Sequence, residues 1–296
     1  MTKNNFAKIR SFLGKSYSIA SRDSKKEHAL LPIEESVGEC SPVVVNVPGV
    51  SAGVKARNIL HLLRPCNVVG GSLIRKGRVN DGGYIMLDYE LDTKVAYSLG
   101  IGDDVSWDLD MASIGCQVWQ YDNTIESLPM EHPRFHWKKI GIASVTGDGM
   151  MSLPDIIRET GHSDKFDMIL KMDIEGTEWS VFSGQDNAAV LPQFSQIVIE
   201  LHKLIPDNDA RYENVIAVLA RINETHQCIH VHPNNWGYLG IVGGVMIPDT
   251  LEVTYVRRGD HEFERCDKTF PTELDMSCRP EVPDYFLGAV GCTKYI

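Results

Sequence analysis

No part of the sequence concentrates lysine and arginine. The 296 residues carry 29 Lys and Arg against 40 Asp and Glu, which leaves a net charge of −11 at pH 7. A protein that binds nucleic acid neutralises the phosphate backbone with a positively charged surface. The composition therefore argues against nucleic acid as a partner.

Paired cysteines and long apolar runs are also lacking. The seven cysteines are widely spaced, and no two form the Cys-x-x-Cys pair typical of zinc or redox sites. No stretch approaches the roughly 20 apolar residues that span a bilayer. Lysines and arginines interrupt the region where a signal peptide would need an apolar core. We expect a cytoplasmic protein with reduced thiols and no membrane span.

The sequence does have enough apolar residues, 43%, for the core of one large α/β domain. We predict an N-terminal arm and helix over 1–75, a core over 76–258 and a C-terminal extension over 259–296. The helix of the arm, 54–63, would end before Pro65 because the residue preceding a proline disfavours helical geometry. The oligomeric state stays open, and a homo-oligomer built on the arm or the extension is one alternative.

Short β-rich runs alternate with helical stretches through the middle of the chain. This alternation is typical of a parallel sheet covered by helices on both faces. The predicted strands are 94–99, 117–121, 135–140, 166–172 and 196–201. The predicted helices are 105–114, 153–160, 177–182 and 207–224. Two further strands, 227–231 and 251–257, are joined through the glycine-rich 237–244 and predict an antiparallel end to the sheet.

Two glycines directly follow the first predicted strand of this sheet. In Ser98-Leu99-Gly100-Ile101-Gly102-Asp103-Asp104, the glycines let the backbone turn tightly and approach a ligand. A dinucleotide-binding loop needs a third glycine three positions after the second, where this chain has Val105. The valine argues against a pyrophosphate-bearing cofactor. An ordinary turn is the other explanation of the pair.

An acidic residue, Asp122, ends the next strand. It lies about 20 residues after the glycine pair, as expected when one helix and one strand intervene. Its carboxylate would accept hydrogen bonds from both ribose hydroxyls of a nucleoside, whereas a helix cap is the alternative role. The ordered combination of glycines and acid favours a nucleoside cofactor that has no pyrophosphate.

The segment Asn80-Asp81-Gly82-Gly83-Tyr84 stands just before the predicted sheet begins. Its Asp-Gly-Gly turn suits a hairpin. It would also form a lip over the charged amino-acid end of a cofactor. The sequence leaves both roles open.

Ligating side chains terminate the fourth and fifth predicted strands. Asp173 follows the fourth, and Glu200 and His202 point to one side of the fifth because side chains alternate along a strand. Open parallel sheets bind ligands beyond these strand ends. We predict that the three residues are catalytic, with His202 as a general base. A divalent metal such as Mg²⁺ or Mn²⁺ held by the same three is one alternative, and helix capping is another.

A third polar cluster, His230-Val231-His232-Pro233-Asn234-Asn235-Trp236-Gly237, is predicted to form a loop. Its imidazoles, amides and indole suit a polyhydroxylated ligand. We predict His232, Asn234 and Asn235 as substrate-binding residues, and His230 as part of the core.

With these pieces in order, the sequence resembles the FkbM-type family of S-adenosylmethionine-dependent methyltransferases over 78–257. The most specific matching segment is Asp173-Ile174-Glu175-Gly176-Thr177-Glu178, preceded by Lys171-Met172. The other matching segments are 80–84, 97–104, 199–202 and 232–235. One departure is the loop Leu99-Gly100-Ile101-Gly102-Asp103-Asp104, where many members have an Asp-x-Gly-Ala-Asn-x-Gly form.

The resemblance implies a Rossmann-like class I methyltransferase fold with a seven-stranded, mostly parallel sheet and antiparallel last strands. It implies that Gly100 and Gly102 contact the methionine part of S-adenosyl-L-methionine, that Asp122 binds the ribose and that 141–143 border the adenine. The predicted cofactor-binding residues are Asp81, Gly82, Tyr84, Gly100, Gly102, Asp104, Asp122, Asn123 and Ile142.

Members of this family commonly methylate hydroxyls of sugars or natural products, so the resemblance implies a small-molecule or glycan acceptor. Enzymes that methylate amino groups typically follow strand four with an Asn/Asp-Pro-Pro-aromatic turn, and this chain has Asp173-Ile174-Glu175-Gly176 instead. We therefore predict O-methylation. An NAD(P)-dependent Rossmann oxidoreductase and a non-catalytic cofactor-binding module remain as alternatives.

Overall fold

The computed structural model describes residues 44–89 and 94–290. The chain divides into a unit of residues 1–39 and a unit of residues 40–296, and every element below belongs to the second. Most of the predicted N-terminal arm therefore lies outside the described residues.

The described residues form sixteen strands and six α-helices. The strands are β1 (Val44–Val47), β2 (Cys66–Val68), β3 (Ser72–Lys76), β4 (Tyr84–Asp88), β5 (Val95–Leu99), β6 (Gln117–Tyr121), β7 (Phe135–Lys138), β8 (Gly141–Ile142), β9 (Met150–Met151), β10 (Met168–Met172), β11 (Phe194–Leu201), β12 (His226–Pro233), β13 (Leu239–Val242), β14 (Val245–Pro248), β15 (Leu251–Arg257) and β16 (Phe263–Arg265). The helices are α1 (Val50–Leu62), α2 (Ser106–Ser113), α3 (Leu153–Glu159), α4 (Glu178–Ser183), α5 (Gln185–Ala189) and α6 (Asp209–Thr225).

One seven-stranded sheet organises the unit, with strand order β12-β15-β11-β10-β5-β6-β7. The pairs among β11, β10, β5, β6 and β7 are parallel, and β15 is antiparallel to both of its neighbours. Strand order reverses between β5 and β10, because the chain moves outward from β5 to β7 and then returns to the other side of β5. This is the Rossmann-like, mostly parallel α/β fold that the sequence predicted.

Apolar side chains cover both faces of the sheet. Val95 and Tyr97 of β5 belong to the larger core cluster, whereas Ala96 between them belongs to the cluster on the other face. All residues of β10 and β11 are buried, as expected for central strands with helices on both sides. The long helix α6 begins at the cap Asn208 and buries one apolar stripe against this core.

Several predicted elements differ from the observed ones. The loop predicted over 230–237 starts too early, because the strand predicted over 227–231 continues through His232 and Pro233. The buried His230 and His232 form hydrogen bonds with Asp275 and Glu252. The glycine-rich 237–244 is a hairpin rather than a plain connection: β13 and β14 pair around Gly243 and Gly244, both of which have positive φ. β10 begins at Met168, since Phe166 is exposed and Asp167 has a left-handed backbone with φ of 64°.

Strands β2 and β16 pair with each other, so a piece of the predicted N-terminal region lies against a piece of the predicted C-terminal extension. Helix α1 lies beside α6, and Asn223 donates a hydrogen bond to the carbonyl of Leu62 at 2.8 Å. No helix among the described residues is long and apolar enough to cross a membrane.

Candidate active site

A cavity of about 410 Å³ opens at the carboxyl ends of the parallel strands, next to the strand-order reversal between β5 and β10. Ligands of open α/β sheets bind at this position. The cavity is lined by residues from the ends of β5, β6 and β10, from β8 and β9, and from the connection between β3 and β4.

The glycine loop after β5 forms its floor. Gly100 has a φ of 83°, and a Cβ at this position would lie 1.7 Å from the backbone oxygen of Asp173. Gly102 also has a positive φ, 59°. Glycine is the residue that adopts this backbone freely, and at Gly100 only glycine fits between the ends of β5 and β10.

Asp122, at the end of β6, holds this loop in place. One carboxylate oxygen accepts hydrogen bonds from the backbone N–H of Ile101 and Gly102, at 2.8 and 2.9 Å. The other accepts from the backbone and hydroxyl of Thr124. Burial raises the pKa of Asp122, but the hydrogen bonds from Gly102, Thr124 and Ile101 outweigh it and keep the pKa below its ordinary value.

The connection between β3 and β4 is the link of a hairpin and also lines the cavity. A role over the amino-acid end of a cofactor stays a prediction. A Cβ on Gly82 would lie 2.4 Å from a carboxylate oxygen of Asp104, which in turn accepts hydrogen bonds from Ser106. Arg78 lies 3.5 Å from the same carboxylate. Burial and the charges of Glu252 and Asp173 raise the pKa of Asp81 to about 6.

Lys171 is a wall residue that the sequence analysis did not single out. It lies in the otherwise apolar strand β10, is buried, and donates a 2.7 Å hydrogen bond to the carbonyl of Gly100. Its ammonium also lies over the ring of Tyr84, 5.6 Å from the centroid. The sequence pattern that could have identified Lys171 is a single cationic residue within an otherwise apolar predicted strand.

All nine predicted cofactor-binding residues line this one cavity. They come from four separate stretches of chain, which the sheet edge brings together. Their role in binding remains a prediction.

The three predicted catalytic residues also converge. Nε2 of His202 lies 3.4 Å from a carboxylate oxygen of Glu200 and 3.8 Å from one of Asp173. Asp173 lines the cavity and accepts a hydrogen bond from the hydroxyl of Tyr84 at 3.2 Å. Glu200 is buried behind it, where Asn234 donates to its carboxylate at 2.9 Å.

Glu178 is a functional candidate that the sequence analysis quoted as part of a motif but assigned no role. It is fully buried, and its carboxylate accepts hydrogen bonds from Nδ1 of His202 at 3.1 Å and from the backbone N–H of Ile174 and Gly176. This contact turns the other ring nitrogen of His202 toward Asp173 and Glu200. The acidic residue thus fixes the loop after β10 and the orientation of the imidazole together.

Electrostatics in this cluster follow from its excess of carboxylates. Burial lowers the pKa of His202, but the hydrogen bond and charge of Glu178 and the charge of Asp173 outweigh it and raise the pKa to about 9. Burial, Asp173 and Glu252 together raise the pKa of Glu200 well above its ordinary value. His202 is therefore an imidazolium at neutral pH.

The predicted substrate-binding residues lie elsewhere. Among them, Asn234 contacts Glu200 and Asp81, while His232 and Asn235 are buried against the C-terminal segment (residues 266–290). The amide of Asn235 donates to the hydroxyl of Ser277 and to carbonyls of that segment, and accepts from the backbone N–H of Arg279. None of the three lines the cavity, because the segment covers this part of the sheet edge.

A Rossmann-like sheet whose glycine loop and strand-end acids converge on one cavity is the arrangement in which open α/β sheets bind their ligands. Residues 84–238 match the family described as "Methyltransferase FkbM domain", which is more than half of the chain, and the chain belongs to this family.

Two curated relatives carry the name "Probable methyltransferase-like protein 24". The human protein is 33% identical over 118 residues, which cover 36% of this chain and 32% of the relative. The rat protein is 31% identical over 130 residues, which cover 39% of this chain and 35% of the relative. The match thus spans about a third of the length of either relative.

Among solved structures, a putative hemolysin from Streptococcus thermophilus aligns with a TM-score of 0.33 and 9% identity. The alignment covers 65% of this chain and 75% of that one. A similarity of this size carries no argument about function.

Proposed function

We propose that this protein transfers the methyl group of S-adenosyl-L-methionine to a hydroxyl of a small-molecule or glycan acceptor. The observation that carries the proposal is the single cavity at the strand-order reversal, which gathers the glycine loop, Asp122 and the acidic strand ends of a family of methyltransferases.

The residues present fit such a cofactor. The backbone at Gly100 and Gly102 has no side chain between it and the cavity, and Asp122 and Asn123 offer polar groups to a ribose. The lining has seven acidic residues against two basic ones, Arg78 and Lys171. The lining acids are Asp81, Asp103, Asp104, Asp108, Asp122, Asp173 and Glu175. This balance suits a cationic sulfonium and disfavours an anionic pyrophosphate, consistent with the argument from Val105 against a dinucleotide.

When bound, the sulfonium supplies a methyl group attached to a good leaving group, so the chain has to align the acceptor and take its proton. Asp173 is the member of the catalytic cluster that lines the cavity, and the Tyr84 hydroxyl fixes its carboxylate. We assign Asp173 the hydrogen bond from the acceptor hydroxyl. Asp173 takes up the proton, and Glu200 and His202 lie behind it. Because His202 is already protonated, it serves as a cation that holds the carboxylates of Asp173 and Glu200 in place rather than as the general base considered from the sequence.

The alternative of a divalent metal at Asp173, Glu200 and His202 is less well supported, although their ligand atoms lie within 4.8 Å of one another. Nδ1 of His202 donates to Glu178, and Nε2 faces carboxylates. These contacts satisfy both ring nitrogens without a metal, so the described geometry does not require one. We expect activity that does not depend on added Mg²⁺ or Mn²⁺. A strict requirement for either ion would favour the alternative of a metal bound by Asp173, Glu200 and His202.

The deciding experiment is calorimetric titration of the full chain with S-adenosylhomocysteine. We expect micromolar affinity, about −8 kcal/mol, and at least a tenfold loss, about 1.4 kcal/mol, in Asp122→Ala. Asp186→Ala removes an exposed aspartate of α5 outside the cavity and serves as the matched control. Full affinity in Asp122→Ala would exclude a ribose-binding role for Asp122. Tight NAD binding without S-adenosylhomocysteine binding would favour the oxidoreductase.

A screen of hydroxylated acceptors with the same protein tests the reaction itself. Asp173→Ala, Glu200→Ala and His202→Ala should each lower methyl transfer while leaving S-adenosylhomocysteine affinity within about threefold, because they act on the acceptor side. If all three variants keep full activity, catalysis lies elsewhere. Transfer to amines but not to hydroxyls would overturn the assignment of oxygen.

A further inference from the structure

Three buried side chains from three different segments converge beside the catalytic cluster: His232 of β12, Glu252 of β15 and Cys278 of the C-terminal segment. Their exposed fractions are 1%, 5% and 2%. One ligand atom from each lies within 4.8 Å of the other two. Nitrogen, oxygen and sulfur are the three ligand types that zinc binds in proteins, and the proposed reaction uses none of these residues.

The distances suit a single ion. Nδ1 of His232 lies 2.9 Å from Oε2 of Glu252, and Sγ of Cys278 lies 3.2 Å from Oε1 of Glu252 and 3.9 Å from Nδ1 of His232. Ligand atoms bound tetrahedrally to zinc at about 2.0–2.3 Å stand about 3.3–3.7 Å apart. The cluster surrounds zinc after shifts of about half an ångström.

A second carboxylate orients the histidine from behind. Nε2 of His232 donates to Oδ2 of Asp284 at 3.0 Å, which leaves Nδ1 facing Glu252 and Cys278. Histidines that bind metals commonly donate their other N–H to a carboxylate in this way. Asp284 belongs to the C-terminal segment, as does Cys278, so this segment supplies both a ligand and the group that orients another.

Further oxygen ligands adjoin the cluster. Glu252 pairs in register with Glu200 on one side and with His232 on the other. Carboxylate oxygens of Asp81, Glu200 and Glu252 also lie within 4.8 Å of one another. A fourth ligand is thus available from Glu200 or Asp81, and a divalent cation would offset the mutual repulsion of these buried carboxylates.

We propose that His232, Glu252 and Cys278 bind a zinc ion that fastens the C-terminal segment to the edge of the sheet. Zinc replaces two protons, one from Nδ1 of His232 and one from Sγ of Cys278, while Asp284 keeps its hydrogen bond from Nε2. The net charge of the cluster is unchanged by this exchange, because two positive charges leave and two arrive.

The test uses the full chain without a histidine tag. Elemental analysis should find about one zinc per chain, and the protein with Co²⁺ in place of zinc should show the near-ultraviolet band of thiolate-to-cobalt charge transfer. Cys278→Ser should lose this band. Cys266→Ser changes another buried cysteine, outside the cluster, and should keep it.

A further variant separates metal binding from folding. Asp284→Asn should lower zinc affinity 10- to 100-fold, measured by competition with a chromophoric chelator, and still show the cobalt band. Circular dichroism checks that each variant is folded. A folded wild type without zinc and without a cobalt band overturns the proposal, as does a band that persists in folded Cys278→Ser. If Cys278→Ser does not fold, the wild-type spectrum and Asp284→Asn decide.

Discussion

Strand β12 carries a buried histidine at each end. Without a metal ion, the first is neutral at pH 7 and the second is protonated. At the amino edge of the sheet, His226 donates to the carbonyl of Phe194 and accepts from the hydroxyl of Thr225. Burial, opposed by the first of these bonds, lowers its pKa to about 4. At the carboxyl edge, burial lowers the pKa of proton-bound His232 too, but Glu252 and Asp284 outweigh it and raise the pKa to about 10.

The two rings have nearly the same burial, 0% and 1% exposed, so burial does not decide their charge. The partners do: neutral groups at the amino edge, carboxylates at the carboxyl edge. The amino edge is built as ordinary core, whereas the carboxyl edge gathers positive-φ glycines and buried charge. Positive-φ glycines and buried charge, both of which cost folding free energy, are therefore concentrated at the edge that holds the cavity.

Replacing one glycine by alanine at each edge should give the largest difference in stability between the two edges. Gly100→Ala places a Cβ 1.7 Å from a backbone oxygen at a positive φ, so we expect a loss of at least about 3 kcal/mol in stability and no measurable S-adenosylhomocysteine binding. At Gly259, near the amino edge, an added Cβ meets nothing within 4 Å, and Gly259→Ala should stay within about 0.5 kcal/mol. Thermal melts and calorimetry measure both. Normal binding in Gly100→Ala would show that the loop is not part of the site.

The neutral histidine predicts an acid sensitivity at the amino edge. The unfolded chain binds a proton at His226 near pH 6.5 and the folded chain only near pH 4, so stability is lost as the pH falls through this window. Between pH 7 and pH 5 the loss from this residue should be about 2 kcal/mol. His226→Gln keeps a donor and an acceptor but no charge. Urea unfolding at both pH values should therefore show a smaller loss in the variant, and equal losses would contradict the assignment.

The smallest effect is expected from the orienting carboxylate at the carboxyl edge. Glu178→Gln removes the charge beside Nδ1 of His202, so the pKa of this histidine should fall from about 9 by about one unit. NMR titration of the imidazole measures the shift. Once an acceptor is identified, Glu178→Gln should lower kcat about tenfold with little change in KM, because Glu178 acts through His202. Glu224→Gln, on the exposed side of α6, is the control and should leave both unchanged.

The fold was predictable because its signal is local. Alternating apolar runs and helices placed β5, β6, β10, β11 and β15 within a few residues, and two strands, 117–121 and 251–257, at their observed bounds. Parallel strand ends meet at one edge, which is why nine residues from four stretches line one cavity. The end of β12 was missed because polar residues such as His232 look like a loop until their partners are known.

Those partners are distant in sequence. His232 meets Asp284, 52 positions later, and Asn235 meets the segment around Ser277 and Arg279. Periodicity within a short window carries no information about such contacts. Glu178 and Lys171 were within quoted motifs, but their roles depend on where His202 and Gly100 lie across the sheet. The residue types in a motif predict its chemistry more readily than they predict which neighbouring residues each side chain contacts.

The acidic lining has a consequence for turnover. Methyl transfer converts a sulfonium cation into a neutral thioether, so substrate and product of the proposed reaction differ by one positive charge at the reacting atom. If the proposed reaction takes place here, a cavity with seven acids and two bases would distinguish them by that charge and hold the methyl donor more tightly than the spent cofactor. Product inhibition would be weak for this reason, and it would grow as salt screens the carboxylates.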